Sequence, residues 1–323
     1  MDIRKPLDWQ AVATMVGLCL VWSLQQIVLK ASAQDIAPIL QIGLRSGIAA
    51  VLVALLMLAR GERMSLRDGR WRAGLLAGAL FALEFLLVGE GVRHTSASHI
   101  VVFLYTAPIF AALGLHWKLP EERLTPLQWC GILLAFAGIA LTFFGRTQPA
   151  APQAANMPWG DLLAVLGGMA WGATTVVVRS SRLATAPATQ TLLYQLITAF
   201  VLLLIAAPLL GQATFHATPL TWKSLAFQSL IVSFASFLIW FGLLRRYLAS
   251  RLGTFSFMTP LFGIVLGAML LQEPIEASFL AGAALVLAGI VLVSGHEWIG
   301  QQMGALVQRG TRRRGKKETG RIS

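Results

Sequence analysis

Charge is scarce in this chain, and the scarcity is uneven. Only 12% of the 323 residues are Asp, Glu, Lys or Arg, with 14 acids against 26 bases. A soluble domain carries about a quarter charged residues, so an ordinary water-soluble globule is excluded. Cysteine is nearly missing: Cys19 and Cys130 both fall inside apolar runs and read as small packed residues, with no disulfide framework and no metal-ligand spacing. No nucleotide-binding P-loop is present, so energy is expected from a gradient of an ion or of substrate, not from ATP. No cofactor or metal is expected. An intramembrane enzyme would need paired aspartates or a deep serine with a histidine, and neither set can be assembled. A channel would need a ring of like charges, which is also lacking. A non-transporting scaffold is the remaining competitor.

What the chain does have is long apolar runs. One helix needs about 20 apolar residues to cross roughly 30 Å of hydrocarbon. Ten such runs can be read, at 9–30, 36–59, 73–92, 97–117, 126–144, 159–179, 187–210, 221–243, 252–271 and 276–295. The expected fold class is therefore an all-α membrane protein of ten transmembrane helices. Arg4 and Lys5 followed by an apolar run and Ala31-Ser32-Ala33 resemble a secretory leader. That run is long for a leader and carries Trp22, Gln25 and Gln26, so it is read as a retained first helix.

The basic residues are not distributed like those of a nucleic-acid binder. With ten spans and a cytoplasmic N-terminus, Arg60, Arg63, Arg67, Arg70, Arg72, Lys118, Arg123, Arg179, Arg182 and Arg251 fall on the inner side. Lys30, Arg93, Arg146 and Lys223 fall outside. This positive-inside bias sets the orientation: both termini cytoplasmic, in a bacterial inner membrane. The tail Arg312-Arg313-Arg314-Gly315-Lys316-Lys317 is expected near anionic lipid, and no nucleic-acid partner is expected. A homo-oligomer is left open.

Self-comparison reveals an internal repeat. Trp22, Lys30, Pro38 and Gln41 recur as Trp171, Arg179, Pro187 and Gln190 at one constant offset. Phe85, Arg93, Ala97, Ser98, Pro108 and Glu121 recur as Phe237, Arg245, Ala249, Ser250, Pro260 and Glu273 after a shift of three more residues. Residues 1–8 form a cytoplasmic N-terminus, 9–145 a first five-helix unit, 146–158 a periplasmic linker with Pro149, Pro152 and Pro158, 159–295 a second unit, and 296–323 a basic tail. An odd number of spans per unit forces the second to enter the membrane in the opposite sense. Inverted repeats of this kind suit secondary transporters, because two similar halves can exchange inward-open and outward-open forms.

These residues resemble the EamA family of the drug/metabolite transporter superfamily. The resemblance rests on Leu20-Val21-Trp22-Ser23 and its echo Met169-Ala170-Trp171-Gly172, on Arg45, on Thr95-Ser96-Ala97-Ser98 with Pro108, and on Glu121-Glu122-Arg123-Leu124 with Gly131. Ala249-Ser250, Pro260, Glu273 and Gly282 repeat the later elements. It covers about residues 9–295. It departs at Pro274 after Glu273, at Tyr194 in place of a second Arg45, and at Glu84 and Glu90 in the third run. The resemblance implies a transporter of a small organic solute, first an amino acid or related metabolite moving outward. An exporter of cationic drugs or polyamines is the alternative.

Charged groups within a bilayer are costly and are functional candidates by default. At 1.5 Å per residue, Arg45 lies roughly 13 Å below the outer end of its run and Glu84 roughly 12 Å. They share a depth and are expected to form an intramembrane ion pair, structural or functional. The repeat sets Glu84 opposite Ser236, and Ser229, Ser233, Ser236 and Trp240 follow one helical face. Trp22, Gln25 and Gln26 match Trp171, Thr174 and Thr175 in spacing. The expected substrate cavity is Trp22, Gln25, Gln26, Glu84, Tyr105, Trp171, Thr174, Ser233, Ser236 and Trp240, although close helix packing would use many of the same residues. Pro108 and Pro260 are expected to break their helices, as hinges or as static kinks. Glu90 is expected at a solvated mouth, His94 and His99 at a loop, and Glu121 and Glu273 at the start of the helix that follows each.

Overall fold

In the computed structural model, residues 8–62, 64, 69–145, 156–247 and 255–294 are described. The N-terminal segment, most of the linker, the basic tail, Arg63, Arg67, Ala249, Ser250 and Arg251, and the side chains of Glu121 and Arg245, lie outside the described residues. Everything regular among the described residues is helical, apart from a single bridge between Ile36 and Phe215. The helices are α1 Trp9–Ala31, α2 Pro38–Ala59, α3 Arg70–His94, α4 Ala97–Leu104, α5 Ala107–Lys118, α6 Pro126–Phe144, α7 Met157–Arg179 and α8 Ala188–Leu209. There follow α9 Pro219–Ala226, a π-helical segment Phe227–Ser236, α10 Phe237–Arg246, α11 Met258–Leu270 and α12 Ala277–Ser294. Eight helices are long and apolar enough to cross a membrane, counting α4 with α5 and α9 through Trp240 as one each. The apolar helices starting at Met258 and Ala277 are shorter by that measure.

Local chemistry fixes the ends. Asp8, Ser96 and Thr218 accept backbone N–H groups that the first helical turn cannot pair internally. Thr125 and Gln128 form a reciprocal capping box at α6. Gly61 and Gly211, at φ 68° and 65°, let the chain turn left-handed just past α2 and α8.

Two runs read as single helices are not uniform. The fourth is interrupted at Tyr105 and Thr106, and Pro108 sits in the first turn of α5. Pro260 likewise stands in the first turn of α11. A proline there removes no hydrogen bond, since those N–H groups have no partner within the helix; the break falls just upstream of each proline. The eighth run passes through ten residues of π-helix, so the serine stripe does not lie on a plain α-helix.

Glycine sets the closest approaches. The α2 and α8 axes run antiparallel, with Gly47 against the Phe200 ring and Gly43 against Leu203. Antiparallel also are α3 and α7, where Gly91 meets the carbonyl of Gly160. On its other side α3 lies parallel to α8, with Gly74 under Tyr194 and Gly78 beside Thr198. The α6–α12 crossing is antiparallel: a Cβ on Gly131 would stand 2.7 Å from the Gly289 carbonyl, and one on Gly138 would stand 2.5 Å from that of Gly282. Parallel to each other, α1 and α11 are joined by Cys19 to the Phe255 carbonyl and by Ser23 to the Thr259 carbonyl at 2.7 Å. Cys19 is buried as expected, whereas Cys130 is exposed on α6.

At the end of the bundle where α1, α3 and α11 finish, polar groups tie the helices together. Glu273 accepts from the Ala97 and Ser98 backbone N–H groups at 2.6 and 3.0 Å and from the Ser98 hydroxyl at 2.6 Å. It therefore caps α4, not the helix that follows it, because the free N–H groups of α4 lie beside the α11–α12 connection. Lys30 donates to the carbonyls of Val92 and Thr95 at 2.5 and 2.8 Å, closing the end of α3.

Candidate functional site

The interior between α1, α2, α3, the π-helical segment and α11 carries a group of buried polar side chains. Arg45 and Glu84 are both buried, at 2% and 4% exposure. They lie within electrostatic reach of each other, yet no hydrogen bond joins them. Arg45 donates Nη1 to Gln228 Oε1 at 2.5 Å and rests its guanidinium 4.5 Å from the centre of the Phe85 ring. Gln228 in turn donates Nε2 to the Gln25 carbonyl of α1 at 2.8 Å. The deep contact of Arg45 is thus an amide and an aromatic face, and the direct pair with Glu84 is not what the side chains adopt.

Among the described residues Gln26 Oε1, Arg45 Nε, Glu84 Oε2 and Ser229 Oγ are buried with no hydrogen-bond partner, and Thr259 Oγ1 has only the side chains of Tyr105 and Cys19 beside it. Each comes from one of the five elements surrounding the polar interior. An unpaired buried polar atom costs about 1–3 kcal/mol, and most native ones are satisfied. Their gathering on adjoining elements singles this interior out as the candidate site.

Aromatic rings flank this interior in two edge-on pairs. Trp22 meets Trp240 with centroids 5.8 Å apart, and its indole N–H donates to Ser236 Oγ at 3.1 Å. Tyr105, at the α4–α5 break, meets Trp171 at 5.3 Å. Tyr105 is also within electrostatic reach of Glu84 and Cys19, so it connects the two sides. Ser233 and Ser236 are buried on the π-helical segment, and Trp22, Trp171 and Trp240 are half-buried. Gln25 and Gln26 are buried on α1; Gln25 contributes its carbonyl to Gln228, and Gln26 leaves Oε1 unpaired. Thr174 is buried too, but its hydroxyl donates to the Ala170 carbonyl one turn back in its own helix.

Residues outside this interior behave differently. Glu90 accepts from Arg93 at 2.9 Å, pairs with His94 at 2.9 Å and receives the Gln212 amide, a half-buried polar cluster at the end of α3. His99 is not a solvated loop residue. It is buried at 2%, stacks on Phe279 at 3.8 Å, and sets Nδ1 3.0 Å from both oxygens of the buried Asp161, which also accepts from Thr95. Asp161 and Gln228 had no place in the sequence reading. Gln228 was detectable as an amide one residue before the serine stripe, and Asp161 as a carboxylate inside an apolar run. Among the described residues, no group of three His, Cys, Asp or Glu could hold a metal.

Comparison with known proteins gives the chain a family. The model of the EamA-like transporter family matches residues 9–144 and 158–295. The uncharacterized transporter YoaV of Bacillus subtilis is 24% identical over 86% of this chain and 94% of its own. The uncharacterized inner membrane transporter YedA of Escherichia coli K12 is 23% identical over 87% of this chain and 89% of its own. A probable amino-acid metabolite efflux pump of Salmonella typhimurium is 26% identical over 84% and 90%. A solved crystal structure superposes at a TM-score of 0.59 with 20% identity, covering 88% of this chain and 97% of that one, a likeness of fold. The chain is therefore a multi-pass membrane protein, not an enzyme, and belongs to the EamA-like transporter family.

Proposed function

We propose that this transporter moves a small zwitterionic solute, an amino acid or related metabolite, outward across the inner membrane by alternating access. The observation that carries the reading is the pair of unpartnered, opposite charges, Arg45 Nε and Glu84 Oε2, in one buried interior. A carboxylate is the natural partner of a guanidinium, and an ammonium that of a carboxylate. The rings of Trp22, Trp240, Tyr105 and Trp171 offer apolar walls for a side chain, with Gln25, Gln26, Thr174, Ser233 and Ser236 around them. The name of the Salmonella relative agrees with this substrate class and direction.

The ten-span architecture belongs to the same reading: units 9–145 and 159–295, inverted in the membrane, both termini cytoplasmic. It is supported by the antiparallel α6–α12 and α2–α8 contacts and the parallel α3–α8 contact, directions that two inverted five-helix units require. Rocking one unit against the other would expose the interior to each face in turn. The helix breaks beside Tyr105 and Phe257, each just before a proline-bearing helix, are the natural points of bending.

Counterflow in proteoliposomes tests the substrate class, using labelled L-phenylalanine, L-leucine, L-threonine and putrescine. Accumulation of an amino acid above empty vesicles is the expected result. Because Arg45 is engaged by Gln228 and leaves Glu84 Oε2 unneutralised at close range, a cationic solute is the second reading, and putrescine alone would select it. No flux of any of the four overturns both. For the topology, cysteines at exposed Arg60 and Ala213 should react with an impermeant maleimide from inside and outside, respectively; the reverse or a shared side refutes the span count.

A further inference from the structure

Opposite charges at one depth in a medium of low dielectric attract strongly. Left alone, Arg45 and Glu84 would close into a direct pair, each satisfying the other and offering nothing to a solute. Something holds them apart, and the residue placed to do so is Gln228. It is fully buried at 0% exposure, and both ends of its amide are engaged. The Gln25 carbonyl can only accept, so Nε2 must face α1; this fixes Oε1 toward Arg45 Nη1. The Phe85 ring closes a second side of the guanidinium. What remains open is Arg45 Nε on one group and Glu84 Oε2 on the other.

The local backbone is unusual at the same point. Gln228 is the second residue of the π-helical segment Phe227–Ser236, and π geometry inside a helix often accompanies function. The repeat makes the asymmetry plain. Gln228 corresponds to Leu76, an exposed leucine of α3, and Arg45 corresponds to Tyr194, which packs over Gly74. The polar arrangement is built once, in this element, and is not a by-product of duplication.

We infer that Gln228 is the positioning residue of the transport site: it anchors the Arg45 guanidinium to α1 and away from Glu84, so that two separated charges face the solute. This rests on the zwitterion reading, but part of it can be tested without any solute. Thermal melts of R45M, E84Q and R45M/E84Q should give a modest coupling, that of two charges in electrostatic reach with no hydrogen bond between them. The same cycle in a Q228L background should give a larger coupling, as Arg45 falls onto Glu84. An Arg45–Glu84 coupling of equal size in both backgrounds overturns the inference.

Transport supplies the second arm, with L-phenylalanine, 2-phenylethylamine and 3-phenylpropionate as probes. Q228E keeps the size of the side chain and places a carboxylate on Arg45. It should raise the KM for L-phenylalanine about 10-fold or more, the order expected for losing a hydrogen bond to a charged group, with a smaller change in kcat. Competition by 3-phenylpropionate should vanish while that by 2-phenylethylamine, which needs only Glu84, persists. Equal loss of both competitors, or none, overturns the assignment. If the unmodified protein carries none of L-phenylalanine, L-leucine and L-threonine, the zwitterion reading falls and the melting cycles alone decide on Gln228.

Discussion

The third helix, α3, and the element whose sequence aligns with it, Pro219–Arg246, do different work. The first is a regular α-helix of 25 residues that carries Gly74, Gly78, Gly89 and Gly91 toward its neighbours. In the second those positions are Ala226, Leu230, Phe241 and Leu243. Where α3 lets backbones of α7 and α8 come within touching distance, its counterpart has no glycine at the matching positions. Conversely Ala77 and Phe81 of α3 correspond to Ser229 and Ser233, and the second element relaxes into π-helix just there. One helix clamps; the other carries polar groups into the interior. Two elements with matching positions in the sequence differ in small-residue and hydroxyl choices, and those choices divide the labour.

That division can be broken or sharpened by substitution. The largest effect is expected from Gly74→Leu, because a Cβ there would stand 2.5 Å from the Tyr194 ring. Overpacking costs about 1–3 kcal/mol or more, so the monodisperse fraction after detergent extraction should collapse, and survival at wild-type yield would refute a clamp. Next is deletion of the exposed Ile231. Losing one residue lets the ladder return to α-geometry and removes the π-helical turn on which Gln228 sits; the protein should still be extracted folded but lose counterflow activity. Retained transport would mean that the π-helical segment is incidental. Smaller is Ser236→Ala, which removes the acceptor of the Trp22 indole N–H and should destabilise by about 0.5–1.5 kcal/mol, read in denaturant melts. Smallest is Gly242→Leu on α10, where nothing lies within 4 Å of a new Cβ; its melt should match the parent within about 0.5 kcal/mol, and a large loss would show that this helix clamps as well.

The sequence carried the helices well and the bonds poorly. Length and hydropathy are sums over twenty residues, so α1, α2, α7 and α8 begin and end within a few residues of their apolar runs. Burial of Arg45, Glu84, Ser233 and Ser236 also followed, because a polar group in such a run has only the interior to face. Partners did not follow. Which group Arg45 reaches depends on the local pitch near Gln228, and the pitch changes with π geometry that no periodicity of serines announces. His99 and Asp161 were separated by 62 positions in sequence and joined by the α4–α7 contact. Glu273 was correctly read as a helix cap, but the helix it caps lies in the other unit.

The close company of Arg45 and Glu84 also has an electrical side. A charge carried through the whole membrane field exchanges about 2.3 kcal/mol per 100 mV. Two opposite charges at one depth, moving with the same interior, do opposite amounts of that work and cancel. A zwitterion riding between them adds nothing net. For the zwitterion proposed, moved without a coupled ion, flux should be blind to a valinomycin-imposed potassium potential; a response to it would reveal a coupled charge.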